Sequence, residues 1–258
     1  MPEGDTIFRL AEQLRPRLLD AEVRRLHLHR TPPTRLPKLP TTVDEVSAVG
    51  KHLLIRFGTG HVFDSHLKMN GSWDVHRPGQ RWREPRGAMR ALIETDEVEA
   101  VLFSTRDVRI YDPRDTSTKP WERLGPDLCR DDVDLDQAVE RARWLPEETE
   151  IAEVLLDQRP ACGIGNVYKS EVLWAERVHP RTPIGELDDD DLHRLYATAN
   201  RLLRANLDRS KRVTHGRGLA VYGRERSSCP RCHHRVQYTK QGGLDRSTYW
   251  CARCQVRP

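Results

Sequence analysis

The chain has 258 residues, 37% of them hydrophobic and 32% charged, with a formal net charge of +4. This composition fits a modest core under much polar surface, arranged as one large domain or two to three small ones. No apolar run approaches the roughly 20 residues that span a bilayer, and the charged start has no secretory pattern. No membrane-spanning helix is expected, and the cytoplasm is the expected location.

The chain starts Met1-Pro2-Glu3-Gly4. A small residue at position 2 is the usual condition for removing the initiator Met, which would expose the secondary amine of Pro2. An α-amino group titrates at about 7.7–8, so a useful fraction is unprotonated at neutral pH. Such an amine attacks a carbonyl-like carbon to give an iminium, an electron sink for later bond cleavage. Glu3 beside it can donate or accept a proton. Many chains start this way by chance, so the rest of the sequence decides.

Ile7, Leu10, Ala11, Leu14 and Leu18 recur at helical spacing. They predict a helix from Asp5, as N-cap, to about Leu19. From Ala21 to about Tyr111 the pattern is strand-like. Val23, Leu26 and Leu28 lead into the apolar run Leu53 to Phe57, and Gly58-Thr59-Gly60 turns into His61 to Leu67. Met89 to Glu94 and Ala100 to Ser104 flank a polar turn and predict a hairpin, making a β-sandwich with one leading helix. Pro113 to Pro126 is Pro-rich and reads as a linker. Helical patterns follow over 135–144, 147–158, 167–177 and 188–207.

Between the second and third of these lies Gly163-Ile164-Gly165-Asn166-Val167-Tyr168. The glycines permit close backbone approach, Asn166 is expected to cap the next helix, and such a turn suits a phosphate. Any helix-to-helix turn can use these residues, so the motif alone is weak. Cys229, Cys232, Cys251 and Cys254 form two C-x-x-C knuckles with 18 residues between them. That spacing predicts one closed, tetrahedral, structural zinc site, with Gln241-Gly242-Gly243 as the intervening hairpin turn. Disulfides fit poorly in the cytoplasm. Cys129 and Cys162 read as buried small hydrophobes. From Arg201 to Pro258 there are 14 Lys/Arg against three acids, a local excess of +11. This suggests contact with phosphates, although a solvated basic face explains the clustering equally well.

Pro2-Glu3, the Gly-Ile-Gly-Asn turn and the C-terminal cysteine hairpin, in this order, resemble the formamidopyrimidine-DNA glycosylase and endonuclease VIII family. Asp245-Arg246-Ser247-Thr248-Tyr249-Trp250-Cys251 adds to the likeness, which runs the length of the chain. The resemblance implies a multidomain α+β fold: an N-terminal helix plus β-sandwich (1–115), a linker (116–130), a helix–two-turn–helix domain (131–224) and a zinc β-hairpin finger (225–258). It implies a monomeric base-excision repair enzyme acting on damaged DNA, both glycosylase and AP lyase. Pro2 then looks like the Schiff-base nucleophile, and Glu3 like the acid assisting ring opening and base departure. Lys51 and Arg246 look like the groups that bind phosphate and assist β- and δ-elimination. Asn166 and Arg123 match phosphate- and DNA-contacting residues. His66-Leu67-Lys68-Met69-Asn70-Gly71 resembles the void-filling loop, with Met69 as the apolar wedge beside Lys68; the plain alternative puts Met69 in the core.

Two features depart from the family pattern, one being Lys68-Met69-Asn70, which matches neither branch's wedge residues fully. A second proline–glutamate pair is common at positions 5 and 6, where this chain has Asp5 and Thr6. Gly4 and Leu219-Ala220-Val221-Tyr222-Gly223-Arg224 lean toward the endonuclease VIII branch, as does Ser104-Thr105-Arg106-Asp107-Val108. The stretch from Arg209 to Leu219 is too short for the purine branch's lid, and no Arg-Arg-Phe wedge follows Asp112-Pro113. Oxidised pyrimidines are the expected substrates; lesions in single-stranded or bubble DNA are a further option, with strand preference left open. A non-catalytic DNA-binding protein and an oxidised-purine glycosylase are the rival readings. His27, His29, His52, His61 and His66 read as hydrogen-bonded or surface histidines, and Trp73, Trp82, Trp121, Trp144 and Trp174 as core or interface aromatics.

Overall fold

Period-2 burial organises the first half of the chain. The computed structural model describes residues 2–243 and 245–256; the expected loss of Met1 concerns a residue outside them. One sheet has five strands in the order β1-β3-β4-β5-β9: Glu22–Val23, Thr41–Val49, His52–Phe57, Val62–His66 and Asp107–Tyr111. The other has four, β2-β7-β8-β6: Arg25–Leu28, Met89–Glu94, Glu99–Phe103 and Ser72–His76. All pairings within both sheets are antiparallel.

α1 (Gly4–Leu18) sends Ile7, Ala11, Leu14 and Leu18 into the same core as Val46, Leu53, Phe57, Phe63, Ile93 and Leu102. Every residue of β8 is buried. Its outward Val101 and Phe103 pack with Leu92 under Trp82, Ala88 and Met89, so the loop over 77–88 covers that face. The helix begins one residue before Asp5, which is therefore inside the first turn and not the N-cap.

The chain divides into two compact units, one holding 1–2 and 6–121, the other 3–5 and 122–258. The second unit contains α2 (Leu135–Ala142), α3 (Ile151–Val154), α4 (Asn166–Ala175), α5 (Asp189–Arg204) and the hairpin β10 (Val236–Gln241) and β11 (Arg246–Cys251). α3 is one turn, not the helix expected over 147–158: its start is tied across to Thr182 and Pro180 carbonyls, and Asp157 and Gln158 turn the chain. α5 starts with a capping box between Asp188 and Asp191. α4 is buried at nine of its ten positions, charged residues included. Trp73 and Trp174 are buried, whereas Trp144 is 71% exposed and is not a core aromatic.

Candidate active site and cysteine cluster

The start of α4 has N–H groups without helical partners, as every helix does. Here Glu3 supplies them. Its oxygens accept from Gly165 N at 2.9 Å, Val167 N at 2.9 Å and Tyr168 N at 3.2 Å, and the residue is fully buried. The cap of α4 is thus a carboxylate from more than 160 positions away, and Asn166, expected to cap, is instead the first helical residue. Asn166 is 4% exposed and its Oδ1 has no hydrogen-bond partner among the described residues. Gly165 makes the approach possible, since an added Cβ would stand 2.5 Å from Glu3 Cδ. Gly4 is equally confined, with Gly163 Cα 2.9 Å from its missing Cβ.

Asp5 continues the arrangement. Its carboxylate is 1% exposed, accepts from Tyr168 Oη at 3.0 Å and takes Arg212 in a fork, Nε at 2.7 Å and Nη2 at 2.6 Å. Burial weakens the Arg212 proton affinity, but the hydrogen bond to Asp5 and the charges of Glu3 and Asp5 outweigh it and hold the guanidinium above its usual range. Burial, then the Asp5 charge, pushes the Tyr168 phenol well up.

Each further turn of α4 is bonded outward. Lys169 is fully buried and donates to Ser247 O (2.9 Å) and Thr248 Oγ1 (2.8 Å) on β11. Burial brings its ammonium down to about 8. Glu171 accepts from the N–H groups of Ala220, Val221 and Tyr222 at 2.7, 2.9 and 2.8 Å, and from the Thr214 hydroxyl. Sequence reasoning missed Lys169, Glu171 and Arg212. Charges at helix positions read as solvent-facing, and only the absence of a polar face on α4 hinted otherwise.

The four cysteine sulfurs lie within 4.8 Å of one another, with Cys229 and Cys254 at 3.9 Å and Cys232 and Cys251 at 3.4 Å. Four metal–sulfur bonds of about 2.3 Å in a tetrahedron set sulfur separations of about 3.8 Å, so the donor set fits a closed four-thiolate metal site. Trp174 Nε1 donates to Cys229 Sγ at 3.4 Å, and Arg231 stacks on the Trp174 ring at 4.1 Å. Cys129 and Cys162 are buried apart from this cluster, and burial pushes the Cys129 thiol well up.

The other expected residues fall as follows. Pro2 is half-buried and precedes Glu3 by one peptide bond. Lys51, half-buried, sits in the β3–β4 turn after Gly50 at φ 56°. Lys68 and Met69 follow β5 on an exposed turn; Lys68 pairs with Asp107 at 2.8 Å, and Met69 is 61% exposed, which excludes the core alternative. Arg123 is exposed at the end of a 3-10 turn, Pro120–Arg123, within the expected linker. Arg246 is exposed at the head of β11, paired in register with Gln241. His52 bonds Asp64 at 2.9 Å, and burial with the charges of Lys68 and His52 takes His66 down to about 4. Among the described residues the cysteines form the one cluster fit for a metal.

The N-terminal domain model of formamidopyrimidine-DNA glycosylase matches residues 1–118, and the H2TH domain model of the same enzyme matches 124–217. The chain belongs to the formamidopyrimidine-DNA glycosylase and endonuclease VIII family. It is 39% identical to a probable endonuclease 8 2 of Streptomyces coelicolor, over 100% of this chain and 95% of that protein. It is 36% identical to the DNA-(apurinic or apyrimidinic site) lyase Nei2 of Mycolicibacterium smegmatis, over 99% of each. The fold matches the Lactococcus lactis formamidopyrimidine-DNA glycosylase crystallised with abasic-site DNA, with a TM-score of 0.82 at 21% identity, covering 99% of this chain and 100% of that one. Membership makes the chain one of a family of DNA-repair glycosylases and lyases. No helix among the described residues is long and apolar enough to cross a membrane.

Proposed function

We propose that this chain is a bifunctional DNA glycosylase and AP lyase of base-excision repair. It removes oxidised bases, pyrimidines in preference to purines, through a Schiff base on Pro2. The observation that carries the reading is the seat of Glu3, whose buried carboxylate is fixed by three backbone N–H groups. A carboxylate offers about four acceptor positions, so one remains for a nucleotide, and the Pro2 nitrogen is one peptide bond away.

Chemistry on a base requires its extrusion from the duplex, at a cost of about a few kcal/mol. The Pro2 nitrogen then attacks C1′, the bond from C1′ to the base breaks, and the base leaves with that electron pair and a proton, assisted by Glu3. The Pro2 nitrogen loses its proton, the C1′–O4′ bond breaks as O4′ takes a proton with the help of Glu3, and the resulting ring-opened iminium acidifies the C2′ hydrogen. Its removal breaks the C3′–O bond, a second elimination breaks the C5′–O bond, and water releases Pro2 from the sugar fragment. Lys51 and Arg246 assist the eliminations by binding phosphate. Asn166, Arg123 and Lys68 contact the DNA, and Met69 fills the gap left by the base. The exposure of Arg246, Arg123, Lys68 and Met69 supports these roles. Cys229, Cys232, Cys251 and Cys254 hold a structural zinc ion, which supplies folding energy to the hairpin. The division into 1–115, 116–130, 131–224 and 225–258 accompanies this reading, as do a monomer and a location with the DNA in the cytoplasm.

The preference for pyrimidines rests on the short run over 209–219, which Arg212 pins to Asp5. Borohydride trapping and excision assays on duplexes with thymine glycol or oxidised guanine test the proposal. Thymine glycol should be removed faster. Faster removal of oxidised guanine would overturn the pyrimidine assignment, and ordinary binding without trapping would leave a DNA-binding protein.

A further inference from the structure

Three tyrosines form a row on one face of the cysteine hairpin. Tyr238 on β10 and Tyr249 on β11 are register partners, with ring centroids 5.0 Å apart and planes tilted by 41°. Tyr222 also packs on Tyr249, again at 5.0 Å, with planes at 64°. The row starts from a fixed point: the Tyr222 backbone is held by Glu171, and the charge of Glu3 helps to raise its phenol after burial. It ends in solvent, with Tyr222 and Tyr249 half-buried and Tyr238 37% exposed.

The next register pair along that face is Lys240 with Ser247, and the Lys240 side chain is 63% exposed, 4.0 Å from Asp245. Arg226, whose backbone N–H bonds Val236 O at the base of β10, has an 85% exposed side chain near Glu225. Two exposed cations, Lys240 on the same face and Arg226 at the base of β10, thus accompany the rings. Tyr238 lies outside the hairpin core, which is made by Val236, Cys229 and Cys251 with Trp174, Ala220 and Val221, and against which Tyr249 packs. Exposed aromatic rings interleaved with basic side chains are what single-stranded nucleic acid binds, bases stacking on rings and phosphates meeting cations.

We infer that the Tyr222–Tyr249–Tyr238 row is a stacking platform for unpaired nucleotides of single-stranded DNA, with Tyr238 as its outer ring and Lys240 on the backbone phosphate. The platform rests on the DNA-repair reading and deepens it. It gives the hairpin a grip on an unpaired strand that paired bases, stacked on each other, do not engage.

The test compares wild type, Tyr238→Ala, Tyr238→Leu and Tyr238→Phe, each at full zinc content. The affinities to measure are for an abasic-site oligonucleotide, single-stranded and as a duplex, alongside borohydride trapping at saturating DNA. Tyr238→Ala and Tyr238→Leu should weaken single-strand binding by about 10-fold, the scale of one lost base stack. Duplex binding and the trapped yield should change little, and Tyr238→Phe should bind as wild type. Equal losses on both DNA forms, or no loss on the single strand, would overturn the platform. Wild-type protein that shows the Tyr238 effect but no covalent trap would sink the enzymatic reading and leave the platform standing.

Discussion

Glu3 and Gly165 are a matched pair: the carboxylate fits because the glycine has no Cβ, which would stand 2.5 Å from Cδ. In Gly165→Ala the glutamate must move. A displacement of about 1 Å at reacting groups costs on the order of 100-fold in rate, so single-turnover lyase activity should fall by that order while the circular dichroism spectrum stays native. Asp5 belongs to the same neighbourhood but makes a different prediction. Its pair with Arg212 is buried, and breaking such a pair leaves an uncompensated charge at a cost of about 3–5 kcal/mol. Urea unfolding of Arg212→Met should therefore show a loss of that size, with less in the Asp5→Asn, Arg212→Met double variant. The four cysteines were legible because two C-x-x-C pairs at that spacing are rare, whereas the Pro2-Glu3 start stood out only in company with them. The Asp5–Arg212 pair was not legible, since its members are 207 positions apart and only the folded chain brings them together.

The elements carry the next set of outcomes. The leading helix and the apolar strands were visible because their periods are clean. β3 was harder to read, since adjacent Asp44 and Glu45 fall at a register shift and interrupt the alternation. β9 is an edge strand of mostly half-buried residues and gives little apolar signal. α4 misled in the opposite sense, with buried lysine and glutamate where a polar face would be expected. At the end of β5, His66 is held neutral, its folded value of about 4 lying below the ordinary 6.5. The unfolded chain then binds more protons between these values, so stability is fully present above pH ~6.5 and falls as the pH drops toward ~4, by on the order of 2–3 kcal/mol. His66→Gln should flatten that part of a urea-unfolding profile against pH. For the hairpin, a strong chelator should release one zinc per chain and abolish DNA binding, because closed four-thiolate sites supply much of a small module's folding energy. Cys251→Ser should behave like the chelated protein, and full trapping by that variant would contradict the structural role of the metal.

At the scale of the whole molecule, a net charge of only +4 conceals a strongly basic stretch over 201–258. Binding through phosphates releases counterions, so affinity for undamaged DNA should fall linearly on a log–log plot against salt. The catalytic step should not follow it once DNA is saturating. The proposed chemistry depends on one nitrogen, that of Pro2, which removal of Met1 would expose. The most direct measurement is mass spectrometry of the borohydride-trapped complex with abasic-site DNA after proteolysis. A reduced sugar adduct is expected on the N-terminal peptide, at the Pro2 amine, with Met1 gone. An adduct on a lysine instead, or active protein that retains Met1, would contradict the proposed chemistry.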